Sequence, residues 1–475
     1  MNNCSSIFRC LRKQLWIALT PSAICLLPVG CSSEPSTTQD ATESVKMDMN
    51  ALATHNAEQQ AFSIKGADDD VRHIQDALDA RYKASNIIHS FETQFGETID
   101  CIDYYAQQGI RALTAKGMSI PAPQRAAISA ATRKSLPNFM FNGKADRHGK
   151  ARSCPDGTVP MLRVTVDDVR AAGGLDAFNR LHSQKRPPPR DDAFRIAPEI
   201  SRHAHIVQKF TGNANITRTV SNMAVFAPGM SQVSDFSISQ TWTYAGTGYN
   251  VDGQRCTTDC LQTVEAGWIV FPVLFKTNNP AAPHLFTFAT NDGYLSGCWN
   301  NDATGSCLPW VAHPGALVTP GMTLPSGVVG GAQVDMQVNV SYVSGSGWCL
   351  SVWNILSPPG GSAVGCWPSS DFTGTMQTAA TYFQVGGEVY GDLGVPMGSG
   401  SLPNAGFGRA AFHHDYTAYI SSSGWNYNFV PREMLAQLSY GMSTTEAPGA
   451  TSWHNWFYFG NEPLIGWETG SLLLK

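Results

Sequence analysis

The stretch VDMQVNVSYV, residues 334–343, alternates apolar and polar side chains with a period of two. In an extended chain Val334, Met336, Val338, Val340 and Tyr342 share one face, while Asp335, Gln337, Asn339 and Ser341 share the other. That is a strand with one dry side. Around it FSISQTWTY, TVEAGWIVFP, LFTFATNDGYLSG, WCLSVWNI, TYFQVGGEVY and RAAFHHDYTAYI read as further strands, separated by Gly, Pro and Asn. Many strands with almost no helix predict an antiparallel β-sandwich, jelly-roll-like, over residues 200–475.

The chain is 475 residues long, too long for one ordinary core, so a second unit is expected upstream. Residues 66–183 carry helical signals: ADDDVRHIQDALDARYKASNIIHSFE sets Val71, Ile74, Leu78 and Tyr82 at helical spacing behind a run of Asp. PQRAAISAATRKSL and TVDDVRAAGGLDAFNRLHSQ predict more helix, the latter with Thr165 as cap, and GETIDCIDYY predicts a strand. This is a small α/β or α+β unit. QKRPPPRDD then opens a stiff linker over 184–199, since three prolines between charges cannot continue a helix.

The N-terminus predicts export. Arg9, Arg12 and Lys13 precede a short apolar run ending at Cys31, so residues 1–31 read as a signal peptide. LPVGC resembles a bacterial lipoprotein signal, which would place a lipid on Cys31 and attach the chain to a membrane. The expectation is an exported bacterial protein, secreted or held at the envelope, with residues 32–65 as a polar tether. Eight cysteines follow Cys31, and an even count in an exported chain suggests disulfides. A formal net charge of −5, with no basic patch interleaved with aromatics, argues against nucleic acid as partner.

Two strands carry a carboxylate. In TYFQVGGEVY, alternation puts Tyr382, Gln384, Gly386, Glu388 and Tyr390 on one face, a carboxylate among an amide, aromatics and a Gly. In QTVEAGWIVFP, Glu265 and Gly267 share a face opposite Trp268. An ionised Glu on a half-buried strand is costly unless it is solvated, paired or used. Two glutamates converging across one groove would suit hydrolysis: the ionised one activates water and the protonated one donates. Gln384 is a candidate to steady an oxyanion. Gln240 and Trp242 in FSISQTWTY read equally as cleft wall or core edge. His203 and His205 read as structural, and His413, His414 and Asp415 as surface or interface residues. Two other readings fit the composition: a non-catalytic sandwich binding cell-wall or peptide ligands, and a two-carboxylate glycosidase. No G-x-S-x-G elbow occurs, which disfavours a serine hydrolase.

Several of these segments together resemble the neprosin family, glutamic prolyl endopeptidases preceded by an activation domain. IDCIDYYAQQ (99–108) and CPDGTVPMLR (154–163) resemble motifs of that domain, while RHAHIVQ, FSISQTW, VEAGW, DGYLSGCWN, VGGEVY, MGSGSLPNAGFGRAAF and WHNWFYFGN follow in the family's order. The resemblance implies catalysis by Glu265 and Glu388, cleavage after proline in acid, and no metal or cofactor. It also implies that residues 66–183 are a pro-domain inhibiting the enzyme within one chain. Substrates would be proline-containing peptides, with Trp268, Trp242 or Tyr390 lining the proline pocket. Pro187, Pro188 and Pro189 would then suit self-processing. Cys298–Cys307 resembles a family disulfide, and proximity suggests Cys256–Cys260, Cys349–Cys366 and Cys101–Cys154. The region between Cys298 and Gly386 is longer than the family's usual pattern.

Overall fold

The alternation in VDMQVNVSYV is realised as the strand Asp335–Val343, which pairs antiparallel with Ile216–Ala224 on one side and Gly347–Trp353 on the other. Met336, Val338 and Val340 are buried. The computed structural model describes residues 70–120, 144–182, 203–210, 215–248, 256–276, 278–300, 308–354, 361–391, 394–434, 440–444 and 453–461. These belong to one compact unit, residues 63–475.

Two antiparallel sheets make the sandwich. In the seven-stranded sheet the order is Phe429–Met434, His203–Phe210, Tyr382–Tyr390, Phe236–Ala245, Gln262–Val270, His284–Thr290 and Cys298–Trp299. The nine-stranded sheet runs from Val311–Ala312 through Ser362–Trp367, Gly347–Trp353, Asp335–Val343, Ile216–Ala224 and Ala411–Ile420 to Trp456–Gly460 and Gly441–Ser443. Gly424–Asn426 pairs with Ala411–Ile420 at its side. Between the sheets lie Met223, Val264, Ala266, Trp268, Met336, Val338, Phe383, Val385, Phe457 and Phe459, an apolar layer drawn from both. Polar links cross the layer as well. Thr219 Oγ1 meets Thr243 Oγ1 at 2.8 Å, and the His413 ring lies 2.8 Å from Ser221 Oγ and 3.0 Å from Ser239 Oγ. His413 is fully buried, and that burial pushes its imidazole down to about 3. His413 and His414 therefore are not surface residues: the first bridges the sheets, and the second is buried between Asp335 and Asp415.

The upstream portion has a helix over 70–85, a three-stranded sheet of Ile87–Glu92, Thr98–Asp103 and Thr158–Leu162, and helices Gln108–Ala115, Val166–Ala171 and Leu175–His182. Its sheet is antiparallel throughout, which makes it α+β. Thr165 caps Val166–Ala171 in a reciprocal box with Asp168, as the sequence predicts. This portion packs on the sandwich through buried polar contacts. Thr323 donates from its backbone N and its Oγ1 to Glu97 Oε1 at 2.8 and 2.6 Å, while burial raises the Glu97 carboxyl. Gln107 bonds the Ala312 backbone in both directions, and Lys116 pairs with Asp371 at 2.8 Å. Gly109 is required for this docking. A Cβ there would stand 1.9 Å from the Trp310 carbonyl oxygen.

Disulfides join Cys101–Cys154, Cys256–Cys260 and Cys349–Cys366. The signal peptide with Cys31, the tether, the helix expected at 123–136, the linker with Pro187, Pro188 and Pro189, and the Cys298–Cys307 pairing lie outside the described residues.

Candidate active site

The three central strands of the seven-stranded sheet set the site. Along Gln262–Val270, Val264, Ala266, Trp268 and Val270 face the inter-sheet core, so Glu265 and Gly267 face outward. Along Tyr382–Tyr390, Phe383, Val385 and Val389 face the core, so Gln384, Gly386 and Glu388 face outward as well. Phe236–Ala245 runs between them and contributes Phe236, Ile238, Gln240, Trp242 and Tyr244 to the same outward face. Both glutamates thus share one surface, and both are fully buried.

Register fixes their spacing. Glu388 stands opposite Ile238, Glu265 opposite Trp242, and between these rows lies Gly386–Gln240–Gly267. Two strand steps and four residues of offset put the glutamate Cα atoms about 16 Å apart on a flat sheet. The middle row carries a single side chain, Gln240. Gly267 is needed for strand pairing itself, since a Cβ there would meet Ser239 O at 1.9 Å.

Each carboxylate has its own donor. Gln240 Nε2 donates to Glu388 Oε2 at 2.7 Å, and the Tyr294 hydroxyl donates to Glu265 Oε1 at 2.5 Å. His205 Nε2 lies 3.4 Å from Glu388 Oε1, and the His205 side chain is only 2% exposed. Gln240 Oε1, an acceptor, and Trp242 Nε1, a donor, are buried on this face with no hydrogen-bond partner among the described residues. They can address the N–H and C=O of an extended peptide. Around them Phe236 stacks on Tyr390, Tyr244 stacks on Tyr382, and Phe271, Phe286, Phe288 and Trp299 close an aromatic wall. Leu181, from helix Leu175–His182 of the upstream portion, packs against this same cluster.

Set beside the sequence reading, the structure separates the expected residues. Glu265, Glu388, Gln240, Trp242 and Tyr390 come together on one face. Gln384 shares the face, but its Nε2 donates to the Tyr244 hydroxyl at 2.7 Å and it lies beside Trp242. Trp268 is corrected. It is fully buried between the sheets, its Nε1 donating to Ala224 O, because strand alternation points it away from its neighbour Gly267. His205, read as structural, lies on a strand that pairs with Tyr382–Tyr390, which sets it opposite Glu388. No local pattern in the sequence points to Tyr294. It sits after the Thr290 strand end in a left-handed conformation, φ 65°, which turns its ring onto Phe288 and its hydroxyl to Glu265.

Among solved structures the chain is similar to scytalido-glutamic peptidase with a peptide-based transition state analog, at 8% identity over 55% of this chain and 98% of that one, TM-score 0.27. It is similar also to SCP-B, a member of the Eqolisin family in complex with the tripeptide Ala-Ile-His, at 8% identity over the same shares, TM-score 0.25. Both likenesses are too distant to bear on the site. The Neprosin family model matches residues 233–461, a span that includes Gln240, Glu265, Tyr294 and Glu388, and that part of the chain is a Neprosin domain.

Proposed function

We propose that the protein is a glutamic endopeptidase that hydrolyses peptide bonds after proline in acid, using Glu265 and Glu388 without a metal or cofactor. The observation that carries this reading is the pair of fully buried carboxylates flanking the Gly386–Gln240–Gly267 row on one aromatic-walled face. A peptide laid along that row meets no side chain but Gln240, whose free Oε1 accepts a backbone N–H. A glutamate then stands on either side of the scissile bond. The ionised one takes a proton from water as the water attacks the carbonyl carbon. The protonated one gives its proton to the leaving nitrogen as the C–N bond breaks. Each carboxyl ends in the other's starting state, and exchange with solvent resets the pair. The aromatic cluster around Trp242, Phe288 and Trp299 supplies a stiff apolar seat suited to a proline ring.

The upstream portion acts as an intramolecular inhibitor in this reading. Leu181 lies on the aromatic cluster, and buried bonds at Glu97 and Gln107 hold the portion to the sandwich. Export fits the disulfides, which persist in oxidising compartments. Secretion or attachment through Cys31, and self-processing at Pro187, Pro188 or Pro189, complete the zymogen scheme. The test incubates acid-treated protein with a proline-containing peptide beside Glu265→Gln and Glu388→Gln. Product cut after proline from the wild type alone is expected. Equal product from all three would refute the paired-glutamate mechanism.

A further inference from the structure

We propose that His205 is a positioning residue of this site: its imidazolium holds Glu388 as the carboxylate, which makes Glu388 the base toward water and Glu265 the acid toward the leaving nitrogen. The inference rests on the peptidase reading above and deepens it. Its ground is the cross-strand pair His205–Glu388, both side chains out of solvent, with Nε2 3.4 Å from Oε1. A lone buried charge of either sign is costly, whereas one proton held between an imidazole and a carboxyl leaves the couple with no more than internal charge separation. The second Glu388 oxygen already accepts from Gln240 Nε2. With His205 charged, one oxygen of Glu388 accepts from Gln240 Nε2 and the other lies at ion-pair distance from a cation, an arrangement that suits the carboxylate and not the acid.

The surroundings of His205 bear on its charge. Across the sheet Glu388 faces it from Tyr382–Tyr390, and Trp242 lies edge-on at 6.1 Å. On its own strand Lys209 is turned over the Tyr382 ring at 4.7 Å, two steps farther along the same face. The edge strand sets Met434 opposite His205 and Arg432 opposite Val207. Glu388 is thus the carboxyl paired directly across from it. Glu265 receives a different donor, the Tyr294 hydroxyl, which carries no charge of its own.

Three measurements on the full chain test this. First, the midpoint of the His205 ring signal is followed by NMR against pH in the wild type and in Glu388→Gln. It should fall by about one pH unit or more when the carboxylate is removed, and an unmoved midpoint would overturn the proposal. Second, the acid limb of kcat/KM in His205→Gln should move up by a similar amount, with the rate at the top of the profile nearer to wild type than at the acid end. A limb that stays put, whatever the rate, would count against it. Third, a prolyl substrate with an activated anilide leaving group should restore Glu265→Gln more than tenfold relative to a peptide bond, and leave Glu388→Gln inactive. The reverse order would sink the assignment. Activity in both Gln variants toward an ordinary peptide would instead refute the underlying peptidase reading, so the two failures are distinct.

Discussion

His182 makes the upstream portion sensitive to acid, and the size of the effect follows from its setting. The ring is buried at the end of helix Leu175–His182, 4.0 Å from the Phe178 ring, with Nδ1 2.9 Å from Phe178 O. Burial pushes the imidazole down from 6.5 to about 4. The unfolded chain therefore binds a proton that the folded chain refuses between those values. Stability is full above about 6.5 and is lost as the pH falls through about 4. At pH near 4 the loss amounts to about 3 kcal/mol. The perturbation is His182→Leu, which fills a similar volume and cannot take up a proton. His284 and His413, also pushed down by burial to about 4 and about 3, remain in both proteins and cancel in the comparison. Urea midpoints are read by tryptophan fluorescence at neutral pH and near pH 4. The drop between the two conditions should be smaller in the variant by roughly 1 M urea, for a slope of about 3 kcal/mol per molar. An identical drop in both proteins would refute the assignment of acid sensitivity to this ring.

Two further outcomes are expected. Tyr294→Phe keeps the ring against Phe288 but deletes the donor to Glu265; a hydrogen bond to the carboxylate that Glu265 becomes as it gives up its proton is worth about 1.5–3 kcal/mol, so kcat/KM on a proline-containing peptide should fall about 10- to 100-fold with the melting temperature little changed. Cys101→Ser with Cys154→Ser opens a disulfide spanning 53 residues, which should lower the stability of the upstream portion by about 4 kcal/mol and speed its proteolysis while the sandwich persists.

Much of this face is legible before any coordinates. The alternation in TYFQVGGEVY places Glu388 with Gln384 and Gly386, and that in VEAGW places Glu265 apart from Trp268; the strands follow both patterns. Trp268 misleads because a large aromatic beside a catalytic candidate suggests a pocket wall, although its own parity points it into the core. What local pattern cannot carry is pairing between distant strands. Nothing within RHAHIVQ says that it lies against VGGEVY, which is why His205 gave no sign of standing opposite Glu388. Nor does DGYLSG announce a left-handed tyrosine reaching back to Glu265. Gln240 was visible as an amide among aromatics, yet its central place depends on glycines from both neighbouring strands meeting it in register.

The aromatic wall that Leu181 touches has a consequence for how the chain is made. Such a sheet face, bare of its cover, is an adhesive surface of the kind that drives newly made proteins to aggregate. Because the helix bearing Leu181 precedes every strand of the sandwich, it leaves the ribosome first and is waiting when the wall assembles. If the wall needs that cover while it assembles, a sandwich produced without residues 70–182 should come out of the cell largely as insoluble protein, and equal soluble yield with and without them would refute this.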